Sequence, residues 1–185
     1  MNILLISNNY PTSYSPFRGT FVKNAADEME SQGCTVTVFA PLSWVTLSRN
    51  GISWLLLKVQ EQNVFAPLFM SLPLTMAPSK RLFSKFSDWR MSAALKRQYR
   101  KLNSSKTFDV CYCHFLPSGR AALDAFPDMP VFLTMGESDP WLYDDIYGKN
   151  WCQDLEAFSG IFVVSKTLYD YLINKNPDLS KKVQI

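Results

Sequence analysis

Residues 1–40 write out one complete supersecondary unit, and the rest of the chain has to accommodate it. The apolar run Ile3-Leu4-Leu5-Ile6 stops at Ser7-Asn8-Asn9, and everything onward to Gly19 is polar, aromatic and proline-bearing, the pattern of a buried strand entering a long loop. After Gly19, apolar residues recur at Phe21, Val22, Ala25, Ala26 and Met29, which predicts one greasy helix face, and Gly33 stands where a left-handed C-terminal cap belongs. Residues 34–40 then read as a second strand. Parallel strands joined by a helix require a right-handed crossover. The loop carrying Tyr10, Arg18 and Gly19 therefore lies at the carboxyl end of the first strand, where open α/β sheets bind ligands.

The alternation continues. Residues 43–63 suggest helical pieces around Trp44-Val45 and Trp54-Leu55-Leu56-Leu57, broken at Asn50-Gly51. Residues 64–72 read as a strand that Pro67 confines to an edge or a bulge. Cleaner strands are predicted at 109–115, 130–135 and 161–164. Helices are predicted from Pro117 to Phe126, from Asp139-Pro140, over 154–158, and from a Ser165 cap to Asn174. Val183 opens one more element. Apolar strands alternating with helices predict an α/β fold, a Rossmann-like three-layer αβα domain with a mostly parallel sheet covered on both faces. At 185 residues this is one domain with a core of about six or seven strands.

No apolar run is long enough to span a bilayer, and the short greasy run after Met1 has neither a basic n-region nor a small-residue cleavage site, so no secretory leader is expected. Cys34, Cys111, Cys113 and Cys152 fit no metal or disulfide spacing. The pair Cys111-x-Cys113 would put both sulfurs on one face of a strand, as buried reduced thiols of a cytoplasmic protein. The absence of G-x-G-x-x-G after the first strand argues against a dinucleotide cofactor.

The net charge of +3 conceals an asymmetry. Between Ser79 and Lys106 nine cations face Asp88 alone, a balance of +8 that leaves −5 for the remainder. With no Pro or Gly after Pro78, this stretch predicts one long helix or two nearly continuous ones. Met91, Leu95 and Leu102 form the stripe that packs on the sheet, while Trp89, Arg90, Lys96, Arg97 and Arg100 share the other face, extended by Phe83 and Phe86. An aromatic, basic face of this kind suits an anionic membrane surface, or simply a solvated helix. Nucleic acid is a weaker partner, because no reader motif accompanies the charge.

At the carboxyl ends of the predicted strands stand Tyr10, Arg18 and Gly19 from the first, His114 from the fourth, Glu137, Ser138 and Asp139 after 130–135, and Ser165 after 161–164. His114 is the only histidine. A lone histidine is more often structural than catalytic, yet its place at a strand end makes it a site candidate.

Several of these residues carry a resemblance. Asn9-Tyr10-Pro11 with Pro16-Phe17-Arg18-Gly19-Thr20-Phe21-Val22, Phe108-Asp109-Val110 with His114-Phe115, Leu133-Thr134-Met135-Gly136-Glu137-Ser138-Asp139, and Val163-Val164-Ser165-Lys166 resemble, in order, motifs of the N-terminal, acceptor-side domain of GT-B glycosyltransferases of family four. The resemblance covers essentially the whole chain. It departs at Gly136, where that family usually has histidine, and at Glu137, where it usually has glycine. It implies a hexosyltransferase, retaining in outcome, that needs no metal and takes a nucleotide sugar as co-substrate and a glycan or lipid-linked acceptor. It implies further that the donor-binding C-terminal domain lies outside this chain, which alone would be inactive. Within that resemblance His114 faces the transferred sugar and acceptor, and Tyr10, Arg18, Gly19, Glu137, Ser138, Asp139 and Ser165 surround the substrates. Polysaccharide or glycolipid synthesis at the inner face of the membrane is the setting it suggests. No carboxylate pair or G-x-S-x-G elbow supports hydrolysis instead. The competing class is a non-catalytic α/β module that associates with anionic membrane.

Overall fold

The computed structural model describes residues 1–11, 16–43, 63–69, 80–102, 107–136 and 139–185. Seven parallel strands form the main sheet: β1 (Asn2–Ile6), β2 (Thr35–Phe39), β4 (Val64–Phe65), β6 (Val110–His114), β7 (Val131–Met135), β8 (Gly160–Val163) and β9 (Val183–Gln184). Their spatial order is β4-β2-β1-β6-β7-β8-β9. Beside them lies a two-stranded parallel sheet of β3 (Leu42–Ser43) and β5 (Leu68–Phe69). The predicted strand at 64–72 is thus divided. Pro67 has no N–H to give a ladder, and the chain leaves the main sheet at Ala66-Pro67 to pair elsewhere. The helical pieces expected within 44–62 lie outside the described residues.

Among the described residues five α-helices surround the sheet: α1 (Thr20–Ser31), α2 (Lys80–Leu102), α3 (Leu116–Ala125), α4 (Asp139–Tyr147) and α5 (Lys166–Lys175). The helix expected over 154–158 is a 3-10 helix, Trp151–Ala157. Sequence signals explain the boundaries. Gly33 takes φ 83° just past α1, Pro117 sits in the first turn of α3, and the Ser165 hydroxyl accepts the Leu168 N–H at 3.3 Å to cap α5.

Strand alternation sorts the core into two layers. Cys111, Cys113, Val131, Leu133, Met135, Ile161 and Val163 face α2 to α5, where they bury against Met91, Leu95, Leu116, Trp151, Leu168 and Leu172. Ile3, Leu5, Val36 and Val38 face the other way, against Val22 and Ala26 of α1. The Cys111 and Cys113 sulfurs sit 3.6 Å apart on the first side, as the spacing predicted, and burial pushes the Cys113 thiol up. Helix α2 is a single 23-residue helix.

One ionic cluster ties α2 to its neighbours. The Arg120 guanidinium of α3 bonds Asp88 of α2 at 3.2 Å and Asp154 of the 3-10 helix, and lies 4.5 Å from the centre of the Tyr147 ring of α4. The Tyr147 hydroxyl donates to Asp88 at 3.4 Å. Burial outweighs these partners at Asp88 and raises its pKa to about 6.

Candidate functional site

In the strand order, β1 and β6 are neighbours whose onward connections run in opposite directions, β1 through α1 to β2 and β6 through α3 to β7. That is a topological switch point, and the crevice above it is the expected ligand position of an open α/β sheet. Two of the predicted site segments meet there, the loop that precedes α1 and His114 at the end of β6. Register makes the meeting close, since Ile6 pairs with Cys113, the residue before His114.

The loop is held by Asn9. Its side-chain oxygen accepts the Arg18 Nε–H at 2.7 Å, and its carbonyl passes so near Gly19 that a Cβ there would lie 1.6 Å from the oxygen. Gly19 also takes φ 67°, a conformation that side-chain-bearing residues rarely adopt. The glycine is therefore required by the closure of the loop itself. Its carbonyl accepts the Val22 and Lys23 N–H groups, and no side chain caps α1, whose first turn opens at the crevice. Arg18 is exposed there, whereas Tyr10 is packed with Ile3, Leu5 and Val22 beneath α1. Tyr10 thus supports the loop from below, and its ring is not offered to solvent.

His114 is 5% exposed, and its Nε2 atom is buried with no hydrogen-bond partner among the described residues. Burial alone, with no charged neighbour contributing, lowers its pKa to about 4. The imidazole is neutral at physiological pH, and as a base of that strength it is suited to hydrogen bonding and poorly suited to removing an acceptor proton. Aromatic rings surround it: Tyr112 at 5.2 Å, Phe21 at 5.7 Å and Phe115 at 6.2 Å between centroids. The Tyr112 hydroxyl is shared with Thr134 Oγ1 at 2.6 Å. Phe115 takes φ 69° and ψ 145°, a region that is strained for any residue but glycine. Its backbone is held by bonds from its N–H to the Thr134 carbonyl and from the Gly119 N–H to its own carbonyl, while Leu116 N–H donates to Tyr143 Oη. Strain fixed this firmly beside a buried, unpartnered nitrogen marks the β6–α3 turn as the centre of the candidate site.

The remaining predicted residues are placed around it unevenly. Ser165 ends β8 and spends its hydroxyl on the α5 cap. Asp139 opens α4, and Glu137 and Ser138 lie outside the described residues. Sequence reasoning gave no site role to Asn9, Phe21, Tyr112, Phe115 or Thr134, and Phe21, expected on the greasy face of α1, is instead 49% exposed beside His114. Asn9 carried a local signal, as a turn residue ahead of Tyr10-Pro11, and Phe21, Phe115 and Thr134 lay within the motifs quoted above.

On α2 the expected faces largely hold. Met91 and Leu95 are buried and Leu102 half-buried, while Phe86 and Trp89 are 41% and 56% exposed with their ring centres 5.8 Å apart. Phe83, expected on the outer face, is buried instead, because it falls on the same side as Met91 and Ala94. The cations divide. The Arg90 guanidinium lies 5.6 Å from the Trp89 ring centre, Lys96 pairs with Asp124 at 3.6 Å, and Arg97 donates to the Leu68 carbonyl at 3.1 Å. Lys96 and Arg100 also line a cavity of about 450 Å³ at the amino ends of β6 and β7, remote from the His114 crevice. Among the described residues no helix is long and apolar enough to cross a membrane.

No protein-family model matches this sequence, and no curated protein was found similar to it. Solved structures do match. The fold is similar to the crystal structure of MurG from Acinetobacter baumannii, a GT-B glycosyltransferase, with a TM-score of 0.50 and 12% identity. The match covers 89% of this chain and 41% of that one, so this chain spans less than half the length of the protein it resembles. What the likeness shows is the fold, a Rossmann-like α/β domain corresponding to the N-terminal half of a GT-B neighbour.

Proposed function

We propose that this chain is the acceptor-binding half of a glycosyltransferase that moves a sugar from a nucleotide sugar to a glycan or lipid-linked acceptor. The observation that carries the reading is the meeting of the Gly19 loop and the unpartnered His114 nitrogen at the switch point of a GT-B-like sheet. Glycosyl transfer needs an acceptor hydroxyl held beside an electron-poor sugar carbon while a diphosphate leaves. A neutral imidazole with a vacant acceptor nitrogen can receive that hydroxyl. The uncapped first turn of α1 and the Arg18 guanidinium, oriented by Asn9, offer positive charge for the leaving diphosphate. Glu137, Ser138, Asp139 and Ser165 would complete the acceptor side, with Tyr10 as the floor of the loop. In this reading a donor-binding domain elsewhere in the same polypeptide supplies most nucleotide contacts, the outcome is retaining, no metal takes part, and the isolated chain does not transfer.

The setting proposed is the cytoplasmic face of a membrane, in cell-surface polysaccharide or glycolipid synthesis. Its support is the outer face of α2, where exposed Phe86 and Trp89 stand with Lys85, Arg90, Arg97 and Arg100. Each cation near an anionic surface adds about 1 kcal/mol of attraction that salt weakens. Vesicle co-sedimentation tests this part. The protein should pellet with anionic and not with neutral vesicles, less so in high salt, and reversal of Lys96, Arg97 and Arg100 to Glu should release it. Equal recovery with both vesicle types would refute docking by α2. The enzymatic reading is tested by incubating the protein that carries both domains with a panel of nucleotide sugars and following nucleotide diphosphate release. Release should depend on added acceptor. Micromolar binding of a nucleotide sugar by residues 1–185 alone would contradict the division of labour.

A further inference from the structure

Among the described residues three rings stand around His114, and two belong to segments held by hydrogen bonds. Tyr112 is tied through its hydroxyl to Thr134, and Phe115 has its backbone held at a strained φ by bonds to Thr134 and Gly119. Phe21 differs. It is the second residue of α1 and 49% exposed, and its ring rests edge-on against His114 and Phe115 without a polar anchor. Exposed side chains change rotamer within picoseconds to nanoseconds. Phe21 is the most exposed of these rings, Tyr112 and Phe115 being half-buried, and the imidazole it touches carries a buried nitrogen with no hydrogen-bond partner among the described residues.

We propose that Phe21 is a gate on His114. Its ring closes over the imidazole in the free protein and turns aside for a ligand that brings both a hydroxyl and an apolar C–H face, as a pyranose does. The hydroxyl then donates the hydrogen bond that Nε2 lacks, and the C–H face rests on the displaced Phe21 ring. Water alone brings no apolar face to hold the ring open, so the nitrogen is kept for the ligand. Phe21 is a positioning residue in this scheme, acting through His114. The use of the gate by a glycosyl acceptor rests on the reading above; the gate itself does not.

Because His114 is the chain's sole histidine, imidazole acylation reports on it alone. Diethyl pyrocarbonate acylates a neutral, reachable imidazole nitrogen with release of ethanol and carbon dioxide, and the adduct is followed at His114 itself by peptide mass spectrometry, which separates it from acylated lysines. The reaction rate follows the fraction of molecules with the gate open. Wild type should react slowly, Phe21→Ala about tenfold faster, Phe21→Leu in between, and Phe21→Trp no faster than wild type. Phe17→Ala, at an 89% exposed position of the same loop, should leave the rate unchanged. Thermal unfolding checks that each variant is folded, and Phe21→Leu carries the comparison should Phe21→Ala not fold. Phe21→Ala and Phe21→Leu reacting at the wild-type rate, or Phe17→Ala accelerating as much as Phe21→Ala, would overturn the gate. That result would leave the glycosyl reading standing, since saccharide binding is measured separately.

Discussion

Two polar centres, one partly and one almost wholly buried, lie on opposite faces of this sheet and are treated in opposite ways. Around Arg120 every charge is answered: Asp88, Asp154 and the Tyr147 ring and hydroxyl close on one another across α2, α3, α4 and the 3-10 helix. Around His114 rings close in, and among the described residues Nε2 has no hydrogen-bond partner. Buried polar groups are normally satisfied, so His114 Nε2, like Thr37 Oγ1 and Ser118 Oγ, calls for an explanation. The first centre holds helices together, and the second is what the proposed site spends stability on.

Substitution should separate the two most sharply. Arg120→Met leaves Asp88 buried without its cation and should lower the free energy of unfolding by about 3 kcal/mol, measured by urea denaturation. His114→Phe removes an unsatisfied nitrogen and keeps a ring among rings, so it should leave stability unchanged or raise it by up to about 1 kcal/mol. Equal losses in both variants would erase the contrast.

Their pH dependence should also oppose. Asp88 binds its proton more tightly folded than unfolded, with pKa about 6 against 3.8, so its contribution to stability is greatest in acid and declines as pH rises from about 4 to 6. His114 holds its proton more weakly when folded, about 4 against 6.5, so its contribution is complete above pH 6.5 and is lost as pH falls toward 4. Each amounts to about 3 kcal/mol at full extent, and in the wild type they largely cancel between pH 4 and 6. Relative to wild type, Asp88→Asn should therefore gain stability as pH rises through this window, and His114→Phe should lose it. Parallel curves for the three proteins would show that neither group is buried as described.

A smaller contrast concerns two glycines with the same sign of φ. Gly19→Ala must adopt φ near 67° and also drive its methyl into the Asn9 carbonyl, so the loop has to move, at about 2–3 kcal/mol. Gly33→Ala meets nothing within 4 Å at φ 83° and should cost about 1 kcal/mol, the strain of the backbone alone. Thermal denaturation of both variants checks the order, and the reverse order would contradict the described closure of the loop by Asn9.

The same contrast shows what could be read from sequence. Features set by near neighbours were legible: the βαβ unit closed by Gly33, the Pro117 start of α3, the Ser165 cap, and the paired sulfurs of Cys111 and Cys113. His114 was legible as a strand-end residue because register follows from apolar runs. Features that depend on residues distant along the chain were hidden. Nothing local says that Phe115 adopts a glycine-like φ, since the carbonyl that holds its N–H belongs to Thr134. Nor does the sequence show that Phe21, one position off the buried Val22–Ala26 stripe, turns toward the imidazole, or that Arg120 joins four helices. Pro67 signalled a break but not that the next two residues join a second sheet. Phe83 turned inward because the buried stripe of α2 is wider at its start than the Met91–Leu95–Leu102 spacing suggested.

The central claim is that the orphan nitrogen of His114 receives a saccharide hydroxyl. The most direct measurement is to titrate residues 1–185 with a panel of oligosaccharides and follow the imidazole signals by NMR, which a single histidine makes unambiguous. The account predicts a saccharide that shifts those signals saturably and binds His114→Phe about tenfold more weakly, the loss of one buried hydrogen bond. A saccharide that binds wild type and His114→Phe equally, leaving the imidazole signals in place, would contradict it.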